Sequence, residues 1–245
     1  MKALVTGASS GIGLEISKYL DSIGYEIILV ARDKEKLESV AKTLTHKPKI
    51  IVMDLQQVED IKSLYVLVKN DDIDILVNNA GFGLFGNFTE TDLSKELKIN
   101  VFHILTKLFL KDMKRKNKGY ILNVASSAAF QSGPLMATYY STKSYVYRLT
   151  EAINYENKKD KVNVQVSCLC PGPVDTNFNK VAGVRFSVKP LKADYVAKYA
   201  IDQMVKGKML IIPGFKMKCA KFFGRFVSDK KLMAITYRIQ KKKVK

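Results

Sequence analysis

The stretch Thr6-Gly7-Ala8-Ser9-Ser10-Gly11-Ile12-Gly13 follows the apolar run Ala3-Leu4-Val5 and leads into a segment of helical periodicity. Its glycines allow a tight turn and a close approach of the backbone to a pyrophosphate, and the N-terminus of the following helix offers free N–H groups. Because the spacing T-G-x-x-x-G-x-G differs from the more general G-x-G-x-x-G, the stretch alone fits either a nucleotide site or a simple tight turn. The residues predicted to border a bound nucleotide here are Gly7, Ser9, Ser10, Gly11, Ile12 and Gly13.

Apolar strands alternate with helical patterns outward from this turn. The strands are predicted at Ala3–Val5, Glu26–Ala31, Lys49–Met53, Ile73–Val77, Tyr120–Val124, Val162–Cys168 and Leu210–Ile212. The helices that precede and follow them include Val58–Val68, Thr91–Lys116 and Thr138–Asn157. This alternation is typical of βαβ units. It predicts an α/β fold of the Rossmann type, a doubly wound, mostly parallel seven-stranded sheet with helices on both faces. Residues 1–213 would form the catalytic domain and residues 214–245 a basic amphipathic extension, either part of that domain or peripheral to it.

Composition limits the class of protein. The chain has 245 residues, no apolar run of the roughly 18–20 residues that a membrane span requires, and an N-terminus that leaves no room for a signal peptide. Three cysteines argue against a disulfide framework, and with only two histidines the chain has few ligands for zinc, so no metal site is predicted. A cytoplasmic location follows, with a membrane-peripheral one as the alternative.

The net charge of +18 is concentrated at the C-terminus. Residues 206–245 contain 13 basic residues against one acidic residue, a net charge of +12, which leaves +6 for the rest of the chain. Phe215, Cys219, Phe222, Phe223 and Phe226 fall on one helical stripe, whereas Lys218, Lys221 and Arg225 fall on another. A basic amphipathic helix can lie on an anionic membrane, receive an acidic carrier protein, pack on another subunit, or expose a solvated lysine face. No nucleic-acid-binding module accompanies the charge, so nucleic acid is not expected.

The end of the second strand carries the residues that would select the cofactor. An acidic side chain here would bind the adenosine ribose hydroxyls, whereas an arginine would neutralise a 2′-phosphate. Arg32 is the first polar residue after the strand, and Asp33 fits both a ribose ligand and a helix N-cap. The prediction is NADP, with NAD as the alternative. Asp54 and Leu55, after the third strand, are the predicted adenine contacts.

Asn78-Asn79-Ala80-Gly81 directly follows the fourth strand. Parallel sheets bind ligands beyond the carboxyl ends of their strands, so Asn79, Ala80 and Gly81 are predicted to border the cofactor. The asparagines could equally brace the sheet, and spacing alone does not separate the two roles.

Tyr139 and Lys143 stand at positions i and i+4 of a predicted helix and therefore share one face. A phenol with a pKa near 10 is a poor acid/base at neutral pH, and a neighbouring ammonium lowers that pKa. Reaching about 7 takes roughly 4 kcal/mol, which a buried lysine and a positive nicotinamide could supply together. Ser126, 13 residues before Tyr139, could hold the substrate oxygen.

These motifs, taken in order, resemble the short-chain dehydrogenase/reductase family over residues 2 to about 212. The matching segments are Thr6–Gly13, Asn78–Gly81, Asn100, the Y-x-x-x-K pair of Tyr139 and Lys143, and Pro171-Gly172-Pro173-Val174-Asp175-Thr176. The resemblance implies hydride transfer between a nicotinamide cofactor and a carbonyl or alcohol. It implies Tyr139 as acid/base, Lys143 on the nicotinamide ribose, Ser126 orienting the substrate oxygen and Asn100 anchoring a water. It also implies that Pro171, Gly172, Val174 and Thr176 hold the carboxamide. A non-catalytic NADP-binding regulator on the same fold is the alternative.

Three neighbouring residues leave the assignment open. Ser127 adjoins Ser126, and only the 13-residue spacing favours Ser126. Tyr140 adjoins Tyr139 but stands three residues before Lys143, out of the pattern. Ser10 occupies the position at which many NADP-using relatives carry a basic residue, so the NADP prediction depends mostly on Arg32.

The substrate is predicted to be a small carbonyl compound or alcohol, apolar in character, because a lid at about residues 177–190 and its surroundings are rich in apolar side chains. These are Phe82, Leu84, Phe85, Phe130, Leu135, Phe178, Val181, Val184, Phe186 and Val188. The same residues could simply pack the lid. A homodimer or homotetramer built on the two long helices is expected by the same resemblance.

Overall fold

A seven-stranded sheet forms the centre of the protein. The structure, a computed structural model, describes residues 1–81, 86–87, 89, 100–176 and 189–241. The strands are β1 Lys2–Thr6, β2 Glu26–Ala31, β3 Lys49–Val52, β4 Ile73–Asn78, β5 Gly119–Val124, β6 Val164–Leu169 and β7 Leu210–Ile211. All six pairings are parallel, in the order β3-β2-β1-β4-β5-β6-β7. The predicted fold class is confirmed, and the described sheet is wholly parallel.

Eight α-helices lie in the described part of the chain. They are α1 Gly11–Ser22, α2 Lys34–Ala41, α3 Val58–Val68, α4 Asn100–Lys116, α5 Ala137–Lys159, α6 Ala193–Val205, α7 Phe215–Gly224 and α8 Asp229–Lys241. The bounds of β2 and α3 agree with the prediction. Asp33 caps α2 by accepting a hydrogen bond from the Lys36 amide at 3.0 Å, as its position before the helix indicated. Residues 91–99 of the helix predicted from Thr91, and residues 177–188 of the lid, lie outside the described residues.

The two faces of the sheet bury separate apolar layers. On β1, Ala3 and Val5 join one layer, whereas Leu4 between them joins the other, and all three are fully buried. Successive side chains of a strand point to opposite faces, so a strand covered on both sides must be apolar throughout. This explains why β1, β2 and β4 each contain a run of consecutive apolar residues, Ala3–Val5, Ile27–Ala31 and Ile75–Val77, rather than an alternating pattern.

A chain of buried polar side chains ties the carboxyl ends of β4 and β5 to the helices beside them. Asn78 donates to the hydroxyl of Thr106 on α4 at 3.0 Å and to the Asn123 side-chain oxygen on β5 at 2.9 Å. Asn123 in turn donates to the hydroxyl of Thr150 on α5 at 3.1 Å. Buried amides are costly unless hydrogen bonded, so this network fixes α4 and α5 against the sheet at one position.

Candidate active site

The glycine turn lies at the point where the strand order reverses. β1 pairs with β2 on one side and with β4 on the other, and such a reversal opens a crevice beyond the carboxyl ends of the strands. The turn after β1, the Asn79–Gly81 turn after β4 and the residues after β5 all belong to this edge. The topology therefore brings together three of the predicted site segments.

Three glycines of the turn are required by its geometry. Gly7 and Gly11 have φ values of +63° and +59°, a region that side-chain-bearing residues seldom adopt. Gly13 has an ordinary φ, but a Cβ there would lie 2.4 Å from the Gly7 carbonyl oxygen and 2.5 Å from the Asn79 Nδ2. The backbone consequently packs here too closely for any side chain.

The N-terminus of α1 keeps free donors for an anion. Ser10 is the N-cap in an extended conformation, its side chain makes no capping hydrogen bond, and the first turn carries no acidic residue. The first N–H groups of a helix have no partner within the helix and carry the positive end of its dipole. We call the turn formed by Gly7, Gly11 and Gly13, which has no Cβ atoms at these three positions, the cradle. The cradle and the N–H donors of α1 together fit the pyrophosphate of a dinucleotide.

Asn79 and Thr6 brace the two turns against each other. Asn79 Nδ2 donates to the carbonyl oxygens of Thr6 and Gly7 at 3.2 and 3.1 Å, and the backbone amides of Asn79 and Ala80 donate to the Thr6 hydroxyl at 3.0 and 3.1 Å. Asn78 is buried in the network beneath. Both asparagines therefore act as braces, and the Asn79 side chain also lies against the cradle. Thr6 begins the T-G-x-x-x-G-x-G stretch, but its spacing did not indicate this bracing role.

Tyr139 and Ser126 meet above the end of β5. Tyr139 lies in the first turn of α5, and its hydroxyl is hydrogen bonded to the Ser126 side chain. Ser126 caps a 3₁₀ helix at Ser127–Phe130, which the sequence did not predict, and its hydroxyl accepts from the Ala128 amide at 3.2 Å. The structure thus brings Ser126 to Tyr139.

Tyr140 occupies a different environment from Tyr139. A Cβ on Gly133 would lie 2.2 Å from the Tyr140 ring, so the ring packs directly on this glycine. The Tyr140 hydroxyl accepts a hydrogen bond from Gln240 Nε2 at 2.8 Å. The neighbouring tyrosines therefore differ in partner: Tyr139 contacts Ser126 and Tyr140 contacts the C-terminal helix.

Lys143 lies one helical turn beyond Tyr139. Its Nζ donates to the Val124 carbonyl oxygen at 2.9 Å and lies 5.8 Å from the centre of the Tyr139 ring. A Cβ on Gly81 would lie 3.6 Å from the same Nζ, so the Asn79–Gly81 turn borders the ammonium. The shared helix face expected from the i, i+4 spacing is present.

Burial dominates the pKa values of this pair in the chain without cofactor. Burial raises the pKa of Tyr139 to about 12, against which the Ser126 hydrogen bond acts in the lowering direction. Burial also lowers the pKa of Lys143 to about 8. Lys143 therefore does not by itself bring the Tyr139 pKa toward neutrality, because desolvation opposes the charged form of both groups. In the chain alone, the phenol is protonated at pH 7.

Burial of the Lys143 ammonium should make the free energy of unfolding depend on pH. Between pH 8 and 10.5 the unfolded chain still binds a proton at Lys143 whereas the folded chain does not. The free energy of unfolding of the wild type therefore rises with pH over this range because of this site. We expect Lys143→Met to stabilise the protein relative to wild type at pH 7, and this relative gain to shrink by up to about 3 kcal/mol by pH 10.5. Urea unfolding across this pH range measures it.

Lys111→Met is the matched control, because Lys111 is an exposed helical lysine whose ammonium stays in water. Lys111→Met should change the free energy of unfolding by about the same small amount at every pH between 7 and 10.5. A Lys143→Met difference that is constant between pH 7 and 10.5 would contradict the buried ammonium.

The segment after β6 lies over the glycine turn. A Cβ on Gly11 would lie 3.1 Å from Thr176 Cγ2, so the two segments touch. Val174 forms a parallel bridge with Leu191 and is buried, and a Cβ on Gly172 would meet Met217 of α7 at 2.8 Å. Pro171 accepts the Ser127 amide at its carbonyl oxygen at 2.8 Å, which ties this segment to the 3₁₀ helix.

The other predicted site residues are exposed, buried in the core, or outside the described part of the chain. Arg32 and Asp54 are exposed, and the side chain of Leu55 is buried in the core, which leaves its backbone for an adenine contact. Asn100 begins α4. Phe82, Leu84, Phe85 and the apolar residues of 177–188 lie outside the described residues.

In the described part of the chain, no group of three or more His, Cys, Asp or Glu side chains could hold a metal ion. Among the same residues, no helix has the length and apolar character required to cross a membrane.

Comparisons with known proteins agree with this geometry. A family model described as short chain dehydrogenase matches residues 1–184. An uncharacterized oxidoreductase of Staphylococcus saprophyticus is 31% identical over 214 residues, which are 82% of this chain and 91% of that protein. A short-chain dehydrogenase from Sphingobium yanoikuyae in complex with NADPH is similar in structure, with a TM-score of 0.81, 24% identity and 95% of each chain covered. A short chain dehydrogenase/reductase from Burkholderia phymatum in complex with NAD gives a TM-score of 0.82, 22% identity and 94% coverage of each chain.

Proposed function

This chain belongs to the short-chain dehydrogenase family, and on that premise we propose that Tyr139, Ser126 and Lys143 carry out the interconversion of a carbonyl and an alcohol. A bound nicotinamide supplies or accepts the hydride. Tyr139 transfers the proton at the substrate oxygen, and Ser126 orients that oxygen. The observation that supports this proposal is the hydrogen bond between Tyr139 and Ser126, with the Lys143 ammonium one turn away.

In the chain without cofactor, Tyr139 is protonated at neutral pH, which is the form that the reductive half of the proposed reaction requires. A phenol whose pKa is about 12 is ready to donate its proton to an oxygen on which negative charge develops. Oxidation requires the phenolate, so the positive charge of an oxidised nicotinamide would have to lower the pKa of Tyr139 from this raised value. Lys143, whose ammonium donates to the Val124 carbonyl, is proposed to bind the nicotinamide ribose.

Further residues are proposed around these three. Asn100, at the start of α4, would anchor a water that links Lys143 to solvent. The cradle donors and turns would hold the cofactor through Gly7, Ser9, Ser10, Gly11, Ile12, Gly13, Asp54, Leu55, Asn79, Ala80 and Gly81. Pro171, Gly172, Val174 and Thr176 would hold the carboxamide, since Thr176 lies against Gly11.

NADP is the proposed cofactor. Both carboxylate oxygens of Asp33 are engaged by Lys36, one by its amide at 3.0 Å and the other by its ammonium at 2.6 Å. A carboxylate used in this way is less available for ribose hydroxyls, while the exposed Arg32 beside it offers a guanidinium to a 2′-phosphate.

Arg32→Ala should weaken NADPH binding far more than NADH binding. Loss of a charge-assisted phosphate contact costs about 1.5–3 kcal/mol, which corresponds to a roughly 10- to 150-fold rise in the Kd for NADPH. Fluorescence titration with both cofactors measures it, and Lys42→Ala, an exposed lysine at the end of α2, is the matched control. Equal effects of Arg32→Ala on the two cofactors would refute the NADP proposal.

The proposed substrate is a small apolar carbonyl compound or alcohol. Phe130 and Leu135 are the described members of the predicted apolar lining, and Phe130 packs edge-on against Tyr147 at 5.5 Å between ring centres. A screen of apolar ketones, aldehydes and alcohols with NADPH and NADH tests the whole proposal. Turnover of at least one carbonyl supports it, whereas tight NADPH binding without turnover of any substrate would favour a non-catalytic regulator.

A cytoplasmic location and a homodimer or homotetramer complete the proposal. Cys168, Cys170 and Cys219 are free thiols, which suits a reducing compartment. The long helices α4 and α5 are the elements proposed to pair between copies, and Tyr145 and Tyr155 of α5 expose 40% and 62% of their surface.

A further inference from the structure

The last two helices expose most of their large apolar side chains and turn several polar side chains inward. Of the 17 large apolar side chains that are exposed among the described residues, eight lie between residues 215 and 239. On α7 the exposed fractions are 79% for Phe215, 54% for Phe222 and 62% for Phe223, and Phe226 directly beyond the helix is 75% exposed. The sequence allowed these phenylalanines to pack inward under a solvated lysine face, but the helix has no buried residue.

Helix α8 shows the same inversion. Thr236 and Gln240, one turn apart, are its buried residues at 3% and 1% exposure. Met233, Ile235, Tyr237 and Ile239 are exposed by 38–49%. A helix that packs for its own stability buries the apolar stripe, so this arrangement leaves apolar surface for a partner.

Inward contacts hold both helices against the active-site region. Lys221 Nζ lies over the rings of Phe130 and Tyr147, 5.2 and 5.7 Å from their centres. On α8, Gln131 Nε2 donates to the Thr236 hydroxyl at 2.7 Å, and Gln240 Nε2 donates to the Tyr140 hydroxyl at 2.8 Å. Met217 of α7 also packs inward, on the apolar cluster that contains Cys170 and Ile212. Polar contacts and this one apolar contact therefore hold the outward apolar surface in place.

Positive charge surrounds this apolar surface. Residues 214–241 contain eight lysines and arginines and one acidic residue, Asp229, a net charge of +7, and all of the basic residues except the inward-facing Lys221 are exposed. Aromatic side chains interspersed with basic ones are the pattern of helices that lie in the interface of an anionic membrane.

We propose that α7 and α8 form a docking surface for an anionic phospholipid bilayer, with the phenylalanines of α7 entering the headgroup region and the basic side chains contacting lipid phosphates. A second copy of the chain would place two surfaces of the same strong positive charge against each other, which disfavours self-association here. An acidic protein would satisfy the lysines, but four phenylalanines exposed by more than half match the acyl boundary of a bilayer better than a charged protein surface.

The docking surface adjoins the proposed catalytic residues. Gln240 contacts Tyr140, the neighbour of Tyr139, so a bilayer bound to α8 lies beside the start of α5. It follows that the substrate would enter from the lipid phase. This consequence rests on the proposed function, whereas the docking itself does not.

Vesicle flotation with the full chain tests the docking. We expect binding to vesicles of phosphatidylcholine with about one third phosphatidylglycerol, little binding to phosphatidylcholine alone, and a weaker interaction at 0.5 M salt, where the charges are largely screened. Phe222→Ser with Phe226→Ser should reduce partitioning at least about tenfold, because each phenylalanine contributes about 1.5–3 kcal/mol when buried. Lys230→Glu with Lys231→Glu should have an effect of similar size, since each juxtamembrane charge contributes about 1 kcal/mol.

Matched controls lie on α3 or directly after it, in a part of the sequence distant from α7 and α8. Val66→Ser with Leu67→Ser removes exposed apolar side chains of 59% and 57% exposure, and Lys62→Glu with Lys69→Glu reverses exposed charges. Neither pair should change partitioning by more than about twofold. Equal losses in the α3 and the α7 or α8 variants would overturn the proposal.

Three other results would also overturn it. These are absence of binding to the anionic vesicles, self-association that disappears in the Phe222→Ser/Phe226→Ser variant without vesicle binding, and capture of an acidic acyl carrier protein in place of vesicles. NADPH binding is measured in parallel on the same samples. A protein that binds NADPH and reduces a carbonyl but ignores anionic vesicles refutes the docking alone, and the reverse result refutes the proposed function alone.

Discussion

Tyr139→Phe is expected to abolish turnover while leaving NADPH binding almost unchanged. The substitution removes the hydroxyl that contacts Ser126 and keeps the ring, which packs edge-on against Tyr140 at 6.1 Å between centres. General acid catalysis by a positioned side chain contributes about 10²–10⁴-fold, so kcat/KM should fall by about that factor. The measurement is the rate of NADPH oxidation with a carbonyl that the wild type reduces, together with the NADPH Kd by fluorescence.

Tyr140→Phe is the matched control for that experiment. It removes a hydroxyl of the same kind on the next residue, whose partner is Gln240 rather than Ser126. We expect it to lower the free energy of unfolding by about 1 kcal/mol and to leave kcat within a few-fold of wild type. If Tyr140→Phe were the inactive variant and Tyr139→Phe retained activity, the assignment of the acid/base would be wrong.

Gly13→Ala should eliminate cofactor binding and destabilise the fold. The added Cβ would lie 2.4 Å from a backbone oxygen, that of Gly7, so neither atom can move without displacing the whole turn. Overpacking of this kind costs about 1–3 kcal/mol, and the displaced turn would no longer present its N–H groups to a pyrophosphate. We expect the Kd for NADPH to rise at least about 100-fold, measured by fluorescence titration, with a lower midpoint of urea unfolding.

Gly224→Ala is the comparison that separates the clash from a general effect of replacing glycine. A Cβ on Gly224 meets nothing within 4 Å and the residue ends α7. It should leave NADPH binding unchanged and be neutral or slightly stabilising, because alanine is the better helix former by about 1 kcal/mol. Normal NADPH binding by Gly13→Ala would show that the turn can relax, and would remove the geometric argument for the cradle.

Local sequence signals predicted local structure well. Asp33 was expected to cap a helix, and it does so through the Lys36 amide three residues away. Tyr139 and Lys143 were expected on one helix face, and their i, i+4 spacing places them there. The alternation of apolar strands with helices was enough to predict a doubly wound sheet, because a strand covered on both faces must be apolar throughout.

Contacts between distant segments could not be predicted in this way. The hydrogen bond between Gln240 and Tyr140 joins residues 100 positions apart, and no local pattern marks either partner. The pairing of Lys143 with the Val124 carbonyl depends on the backbone of another element. The pKa of Tyr139 in the chain without cofactor is set by the same kind of distant contact, since burial depends on the whole fold and desolvation here raises that pKa.

The Tyr139–Lys143 pair and the glycine turn were thus determined by the sequence alone, because helical spacing and turn geometry act within a few residues. Which way the C-terminal helices face was decided only by tertiary structure. Periodicity defines an apolar stripe on α7, but it does not state which side meets the protein. Contacts of Lys221, Thr236 and Gln240 with the active-site region turned the polar residues inward and left the phenylalanines outside.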